Sequence, residues 1–215
     1  MKFLSSLFNK SKEKPNFSVR SVFNGHHHIT YRGIQTLKCP FDYVIYQMII
    51  MQLKPDLVIE IGTRHGGSTL YIADLLDIIG DGIIHSIDIN IPPNVDILLA
   101  NPRIKLFDCG WQGYDLNQAK DFSNILVIDD ASHIYEDAIG SLRKFAPLVT
   151  QGSYFIMEDG IIDELGISKD YKGGPLKAIY EFLKDNDNFV VDREWCDMFG
   201  DNATFNVDGY LKKVR

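Results

Sequence analysis

From Asp56 to the C-terminus, short apolar runs alternate with longer stretches of helical period. "DLVIEIG" reads as a first strand, a near-continuous apolar run of the kind buried on both faces. "GGSTLYIADLLDII" reads as a helix opened by glycines and Ser68. "GIIHSIDI", "RIKLFDC" and "NILVIDD" are a second, third and fourth strand, the last followed by the helical "IYEDAIGSLRKFAPLV". "GSYFIMED" is a fifth strand after the turn at Gln151-Gly152, and "GGPLKAIYEFLKDN" is a helix with Pro175 near its first turn. Strands alternating with helices in this way predict an α/β fold with a parallel sheet covered on both faces. "NFVVDREWC" and "ATFNVDGYLKKV" follow with no helix expected between them, so they read as an antiparallel pair joined by a loop at Gly200-Asp201. Upstream, "PFDYVIYQMIIMQL" (Pro40 to Leu53) reads as a helix with Pro40 at its start and Asp42 in its first turn. Val44, Met48 and Met51 are its expected core-facing positions.

Composition narrows the partners. The chain has 215 residues, 45% hydrophobic and 24% charged, which suits one globular domain. A net charge of −7 speaks against a nucleic-acid partner, which normally meets a basic face. The charge is unevenly spread: residues 1–40 hold seven Lys/Arg against the single acid Glu13, while the remainder holds 15 basic and 28 acidic residues. Residues 1–30 are accordingly read as a basic arm, with 9–25 as a polar linker, and 31–215 as the folded domain. In "MKFLSSLFNK", Phe3, Leu4, Leu7 and Phe8 can share one side of a short helix; a frayed tail or docking helix is the preferred reading, a weak peripheral membrane foot the sharper one. No apolar stretch approaches the roughly 20 residues that cross a bilayer. Cys39, Cys109 and Cys196 match no metal or redox spacing and read as free thiols of a reducing, cytoplasmic compartment.

The first strand ends in Glu60 and breaks into glycines with the spacing E-x-G-x-x-x-G, through Gly62 to Gly66 and Gly67. Glycines let the backbone turn tightly and a ligand approach the main chain, at the carboxyl end of a strand where open α/β sheets bind ligands. The spacing differs from G-x-G-x-x-G, and the acid at the strand's end would repel a pyrophosphate. An acidic lip suits a ligand with a cationic end. The second strand then ends at Asp88, placed to accept hydrogen bonds from ribose hydroxyls. Together these point to S-adenosylmethionine, with Glu60, Gly62, Thr63, Gly66, Gly67 and Ser68 near its amino-acid end and Asp88 on its ribose; the plainer alternative is a packing turn.

The fourth strand ends in "VIDDASH" and the fifth in "IMED". If the two strands are neighbours, their ends lie about 5 Å apart and four carboxylates crowd one rim. Such crowding is costly unless some acids are protonated or a cation sits among them. Oxygen donors without cysteine point to Mg2+, with Asp130, Glu158 and Asp159 as ligands and Asp129 turned away by strand alternation. His133, three residues past Asp130, is the candidate base; a helix-terminus hydrogen-bonding residue is the alternative. Adjacent side chains diverge, so His26 to His28 are read as loop, substrate-facing at most. An iron oxygenase would want an H-x-D/E pair, and "HSID" at His85 has the wrong spacing.

"YRGIQTLKCPFDYVIYQMII", "KPDLVIEIGTRHGGSTLYIADLL", "VIDDASHIYEDAIGSLRKFAPLVTQGSYFIMEDGII" and "DNATFNVDGYLKKV" resemble, in order and spacing, the cephalosporin hydroxylase / rhamnosyl O-methyltransferase family over about Tyr31 to Val214. The resemblance implies a Rossmann-like class I methyltransferase with a mostly parallel seven-stranded sheet of order 3-2-1-4-5-7-6 and an antiparallel C-terminal pair. It implies S-adenosylmethionine and Mg2+ as cofactors, Asp130, Glu158 and Asp159 as metal ligands, and His133 where catechol-type enzymes carry a proton-accepting Lys. It implies methyl transfer to a hydroxyl of a small molecule or glycan; a metal-dependent oxygenase and a non-catalytic cofactor-binding subunit are the other readings. Lys38 to Asp42 and Tyr171 to Pro175 are expected to act as lids. Related enzymes often associate, so a homo-oligomer is in keeping with the family. Where relatives more often read D-S-x-H, this chain has Asp130-Ala131-Ser132-His133.

Overall fold

A computed structural model describes residues 17–215. The reading of residues 3–8 as a short amphipathic segment lies outside the described residues. Among the described residues nine strands form: β1 (Thr30–Tyr31), β2 (Ile34–Gln35), β3 (Leu57–Ile61), β4 (Ile83–Ile87), β5 (Ile104–Phe107), β6 (Ile125–Asp129), β7 (Tyr154–Met157), β8 (Phe189–Val191) and β9 (Tyr210–Lys213). Eight helices accompany them: α1 (Val19–His26), α2 (Pro40–Leu53), α3 (Gly67–Ile79), α4 (Val95–Leu99), α5 (Gly110–Gly113), α6 (Tyr135–Phe145), α7 (Gly174–Lys184) and α8 (Arg193–Cys196).

The main sheet runs β5-β4-β3-β6-β7-β9-β8, parallel up to β7 and antiparallel thereafter. Numbered along this sheet alone, the order is the expected 3-2-1-4-5-7-6. β3 is buried at every position, as a central parallel strand must be. One face packs Ile45, Ile49 and Ile50 of α2 and Leu70, Ile72 and Leu76 of α3 against Val58, Ile84 and Leu126. The other packs Ile139, Leu142 and Phe145 of α6 and Ile179 and Phe182 of α7 against Ile59, Val127 and Phe155. The register pairs Ile61 with both Ile87 and Asp129, and Asp129 with Met157. Four strands therefore end at one level, and the residues following them share one rim. No helix among the described residues is long and apolar enough to cross a membrane.

Four local expectations are corrected. The described part of the 9–25 linker is helical from Val19: Ser18 caps α1 in a reciprocal capping box with Ser21, and Val22 and Phe23 pack on a small cluster with Ile161, Leu165 and Phe205. His26 closes that helix and is buried, so it is not loop. On α2 the buried face is Asp42, Ile45, Tyr46, Ile49 and Ile50; of the three expected positions Met51 packs on the core, while Val44 and Met48 remain 45% and 41% exposed. An almost uniformly apolar helix carries no periodic signal to choose its inner face; here hydrogen bonds to Asp42 choose it. Finally, α8 intervenes between β8 and β9, capped by Asp192 accepting from the Glu194 amide.

Candidate active site

The glycines after β3 are required by the space around them. Gly62 has φ 103°, and a Cβ there would fall well under 3.0 Å from the Asp130 carbonyl oxygen. A Cβ on Gly67 would meet the Gln35 carbonyl at 2.5 Å. Gly66 takes the left-handed N-cap position of α3, with its amide donating to the Thr63 carbonyl at 2.8 Å. The glycine turn is thus pressed directly against the segment carrying Asp130, whose own amide donates to the Ile61 carbonyl at 2.8 Å.

Glu60 does not form an open acidic lip. It is fully buried, and its carboxylate accepts hydrogen bonds from Ser68, Thr69 and Ser86. Burial pushes its pKa up. Thr63 and Ser86 share a hydroxyl–hydroxyl bond of 2.7 Å. Glu60 and Ser68 therefore brace the turn from inside, and of the turn itself Gly62, Arg64 and His65 reach the surface while Gly66 and Gly67 are buried. Asp88 follows β4, half-buried, and accepts from the Arg64 and Ile89 amides at 2.8 and 2.7 Å.

The acids after β6 and β7 separate by direction. Asp129 turns to the α6 side, as strand alternation requires, and accepts from Ser141; burial pushes its pKa up to about 6. Asp130, His133 and Asp159 converge, each offering a ligand atom within 4.8 Å of the others. His133 Nε2 lies 3.2 Å from Asp159 Oδ2 and 3.8 Å from Asp130 Oδ1. His133 and Asp159 both hold left-handed backbone, at φ 58° and 59°. Such conformations in non-glycine residues persist only where surrounding structure enforces them, commonly at functional sites.

Glu158 stands apart from that trio. Its Oε1 accepts from the Lys38 ammonium and, at 2.7 Å, from the Tyr46 hydroxyl. Burial and the neighbouring Asp130 push its pKa well up. Lys38 also donates to Asp130 Oδ2 at 2.6 Å. Burial works against the Lys38 charge, but Asp130 and Glu158 outweigh it and carry the ammonium above the usual lysine range. Lys38 is 3% exposed, with Cys39 and Asp42 buried beside it, so this stretch is part of the site's floor and no lid. Its importance was missed because Lys38 lies 92 residues from Asp130 and 120 from Glu158. The other expected lid packs on His133: the Tyr171 ring stands edge-on to it at 6.2 Å.

A donor network reaches behind Glu158. Asn206 donates to the Tyr46 and Tyr210 hydroxyls at 3.1 and 3.2 Å, and Tyr210 donates to Asp42 at 3.0 Å. Asp42 also accepts from Thr204 and, at 3.1 Å, from the Phe205 amide. Burial pushes its pKa up to about 6. The His26 ring, edge-on to Phe205 at 5.3 Å, lies within electrostatic reach of Asp159 and Asp130, and burial pushes its pKa down. His27 and His28 are exposed.

This sheet order, with a glycine turn after the first strand and acids after the fourth and fifth, defines a class I S-adenosylmethionine-dependent methyltransferase fold. Solved structures agree: CmcI with SAH superposes with TM-score 0.65 at 19% identity, covering 95% of this chain and 96% of that one. CmcI with Mg and SAM gives 0.63 at 21%, covering 96% and 82%. The model of the Rhamnosyl O-methyltransferase/CmcI family matches residues 24–214. A rhamnosyl O-methyltransferase of Mycobacterium leprae is 30% identical over 193 residues, 85% of this chain and 82% of that protein. One of Mycobacterium tuberculosis is 30% identical over 181 residues, 80% and 73%. The chain belongs to the Rhamnosyl O-methyltransferase/CmcI family and is an O-methyltransferase.

Proposed function

We propose that this chain transfers the methyl group of S-adenosylmethionine to a hydroxyl of a sugar or sugar-bearing metabolite, assisted by a divalent ion, with Mg2+ the best match. The observation that carries this reading is the close approach of Gly62 to the Asp130 carbonyl, which sets the glycine turn and the acid cluster side by side on one rim. The glycine turn suits the donor: without side chains at Gly62 and Gly67 the turn packs directly on the Asp130 and Gln35 backbone at the carboxyl end of β3, and Asp88, following β4, is the carboxylate we assign to the ribose hydroxyls. The acid cluster fits a hard cation, with carboxylate oxygens and one imidazole converging from strained backbone. Asp130 and Asp159 would hold it, with Glu158 behind them. A bound divalent ion would lower the acceptor hydroxyl's pKa and fix its direction.

Residues of the chain do the rest. His133 accepts the acceptor's proton, and the Asp159 carboxylate, 3.2 Å from its Nε2, stabilises the imidazolium that results. Bound S-adenosylmethionine would supply the methyl group, its S–CH3 bond breaking to leave S-adenosylhomocysteine as the oxygen–methyl bond forms, and the Gly62 turn and the Asp130 segment would set the alignment on which the rate depends. The sugar class is supported by the rhamnosyl O-methyltransferase names of the relatives.

A labelled-methyl assay against rhamnosides and other deoxysugar acceptors tests the proposal, with calorimetry of S-adenosylhomocysteine beside it. His133→Ala should lower transfer by about 10²–10⁴-fold while leaving S-adenosylhomocysteine affinity intact. Unchanged turnover would remove His133 as the base; absence of S-adenosylhomocysteine binding by the wild type would remove the cofactor reading altogether.

A further inference from the structure

Three carboxylates meet at the rim, yet the cation the structure itself supplies is an amine. Lys38 reaches in from the loop before α2, and its Nζ takes one oxygen from Asp130 and one from Glu158. Tyr46 donates to the same Glu158 oxygen, and Asn206 backs Tyr46. This grip holds Glu158 outside the trio of Asp130, His133 and Asp159. Asp130 is shared, with Oδ2 on Lys38 and Oδ1 toward His133. An ammonium so placed offsets one of the three clustered negative charges without any bound ion. By the same charge it opposes a divalent ion brought to the same oxygens.

We propose that Lys38 is a tethered counter-cation of the acid cluster: it stabilises the cluster when no divalent ion is bound and competes with that ion for Asp130 and Glu158. The inference rests on the metal-assisted reading above. It makes ion binding weak and reversible, with the fold independent of the ion. Glu158 joins the ligands only as Lys38 yields it.

The test is Mn2+ binding by calorimetry together with thermal unfolding in EDTA, on wild type, Lys38→Met and Lys38→Arg. Lys38→Met should bind Mn2+ at least about tenfold more tightly. It should unfold at a lower temperature than wild type in EDTA, with the gap closing when Mn2+ is added. Lys38→Arg keeps the charge on a bidentate fork and should bind Mn2+ several-fold more weakly than wild type. Equal or weaker binding by Lys38→Met overturns the inference while leaving the metal reading intact. Failure of both wild type and Lys38→Met to bind Mn2+ removes the metal reading and the inference with it. If Lys38→Met does not fold in EDTA, Lys38→Arg decides, and wild-type affinity in that variant counts against competition.

Discussion

A methyl group added at position 62 would collide with the Asp130 carbonyl oxygen, and the backbone there already sits at φ 103°, a conformation side chains rarely adopt. The two penalties can be separated with Gly80, which has φ 87° but nothing within 4 Å of a Cβ. Gly80→Ala should cost about 1 kcal/mol, the expense of left-handed backbone alone. Gly62→Ala should cost about 3 kcal/mol or more and weaken S-adenosylhomocysteine binding, because the clash pushes the cofactor turn away from Asp130. Urea unfolding and calorimetry on the two variants read both quantities. Equal destabilisation would mean that Gly62 serves conformation only and that the turn and the acid cluster are not mechanically joined. Lys38 illustrates the same dependence on contacts invisible in linear sequence. Flanked by Leu37 and Cys39, it was readable only as part of an expected lid, yet the fold sets its ammonium between acids that the motifs do reveal.

Helix α2 owes its orientation to one buried carboxylate. Asp42 accepts from Thr204, the Phe205 amide and Tyr210, so a helix starting at Pro40 is tied to the segment leading into β9. Asp42→Ala would strand three buried donors and should destabilise the protein by about 3–5 kcal/mol in urea unfolding. A cost under about 1 kcal/mol would show that packing of Ile45, Ile49 and Ile50 orients the helix without it. The central elements were legible because each strand is a short apolar run punctuated by glycine or acid, and α3, α6 and α7 carry clear capping or periodic signals. The sheet order came through the family resemblance. The buried face of α2 was not legible, since apolar residues surround the helix and its deciding partners lie more than 160 residues away. The tight turn joining β1 and β2, with Arg32 at φ 49° and Gly33 at φ 83°, also escaped notice, because Arg is not a residue that announces such a turn. In the site, positions along the chain were readable and directions only in part: Asp129 turned away as expected, whereas Glu60 and Glu158 proved committed to hydroxyls and to Lys38.

Buried titrating groups on both faces of the sheet and beneath the rim make the stability of the whole domain a balance of opposing protonations. Burial lowers the pKa of His85 to about 4 from 6.5; its Nδ1 is 2.6 Å from the Tyr114 hydroxyl, while Nε2 has no partner. The unfolded chain therefore gains a proton at His85 that the folded chain refuses, and stability falls as pH drops from about 6.5 toward 4. Asp42 and Asp129 act with the opposite sign. Their folded pKa values, about 6, exceed the unfolded value of 3.8, so their contribution is full below 3.8 and is lost as pH rises through 6. His85→Phe removes only the first effect. Its stability relative to wild type, read from urea midpoints, should rise as pH falls from about 6.5 to 4, by up to about 3 kcal/mol. Asp129→Asn should gain on wild type in the other direction, between pH 3.8 and about 6. Every other group, the acid cluster included, is common to variant and wild type and cancels in the difference to the extent that the fold is unchanged. A His85→Phe difference that stays flat across this range would mean that the imidazole protonates in place, with water or a neighbour reaching Nε2, and that the face beneath β4 is not dry.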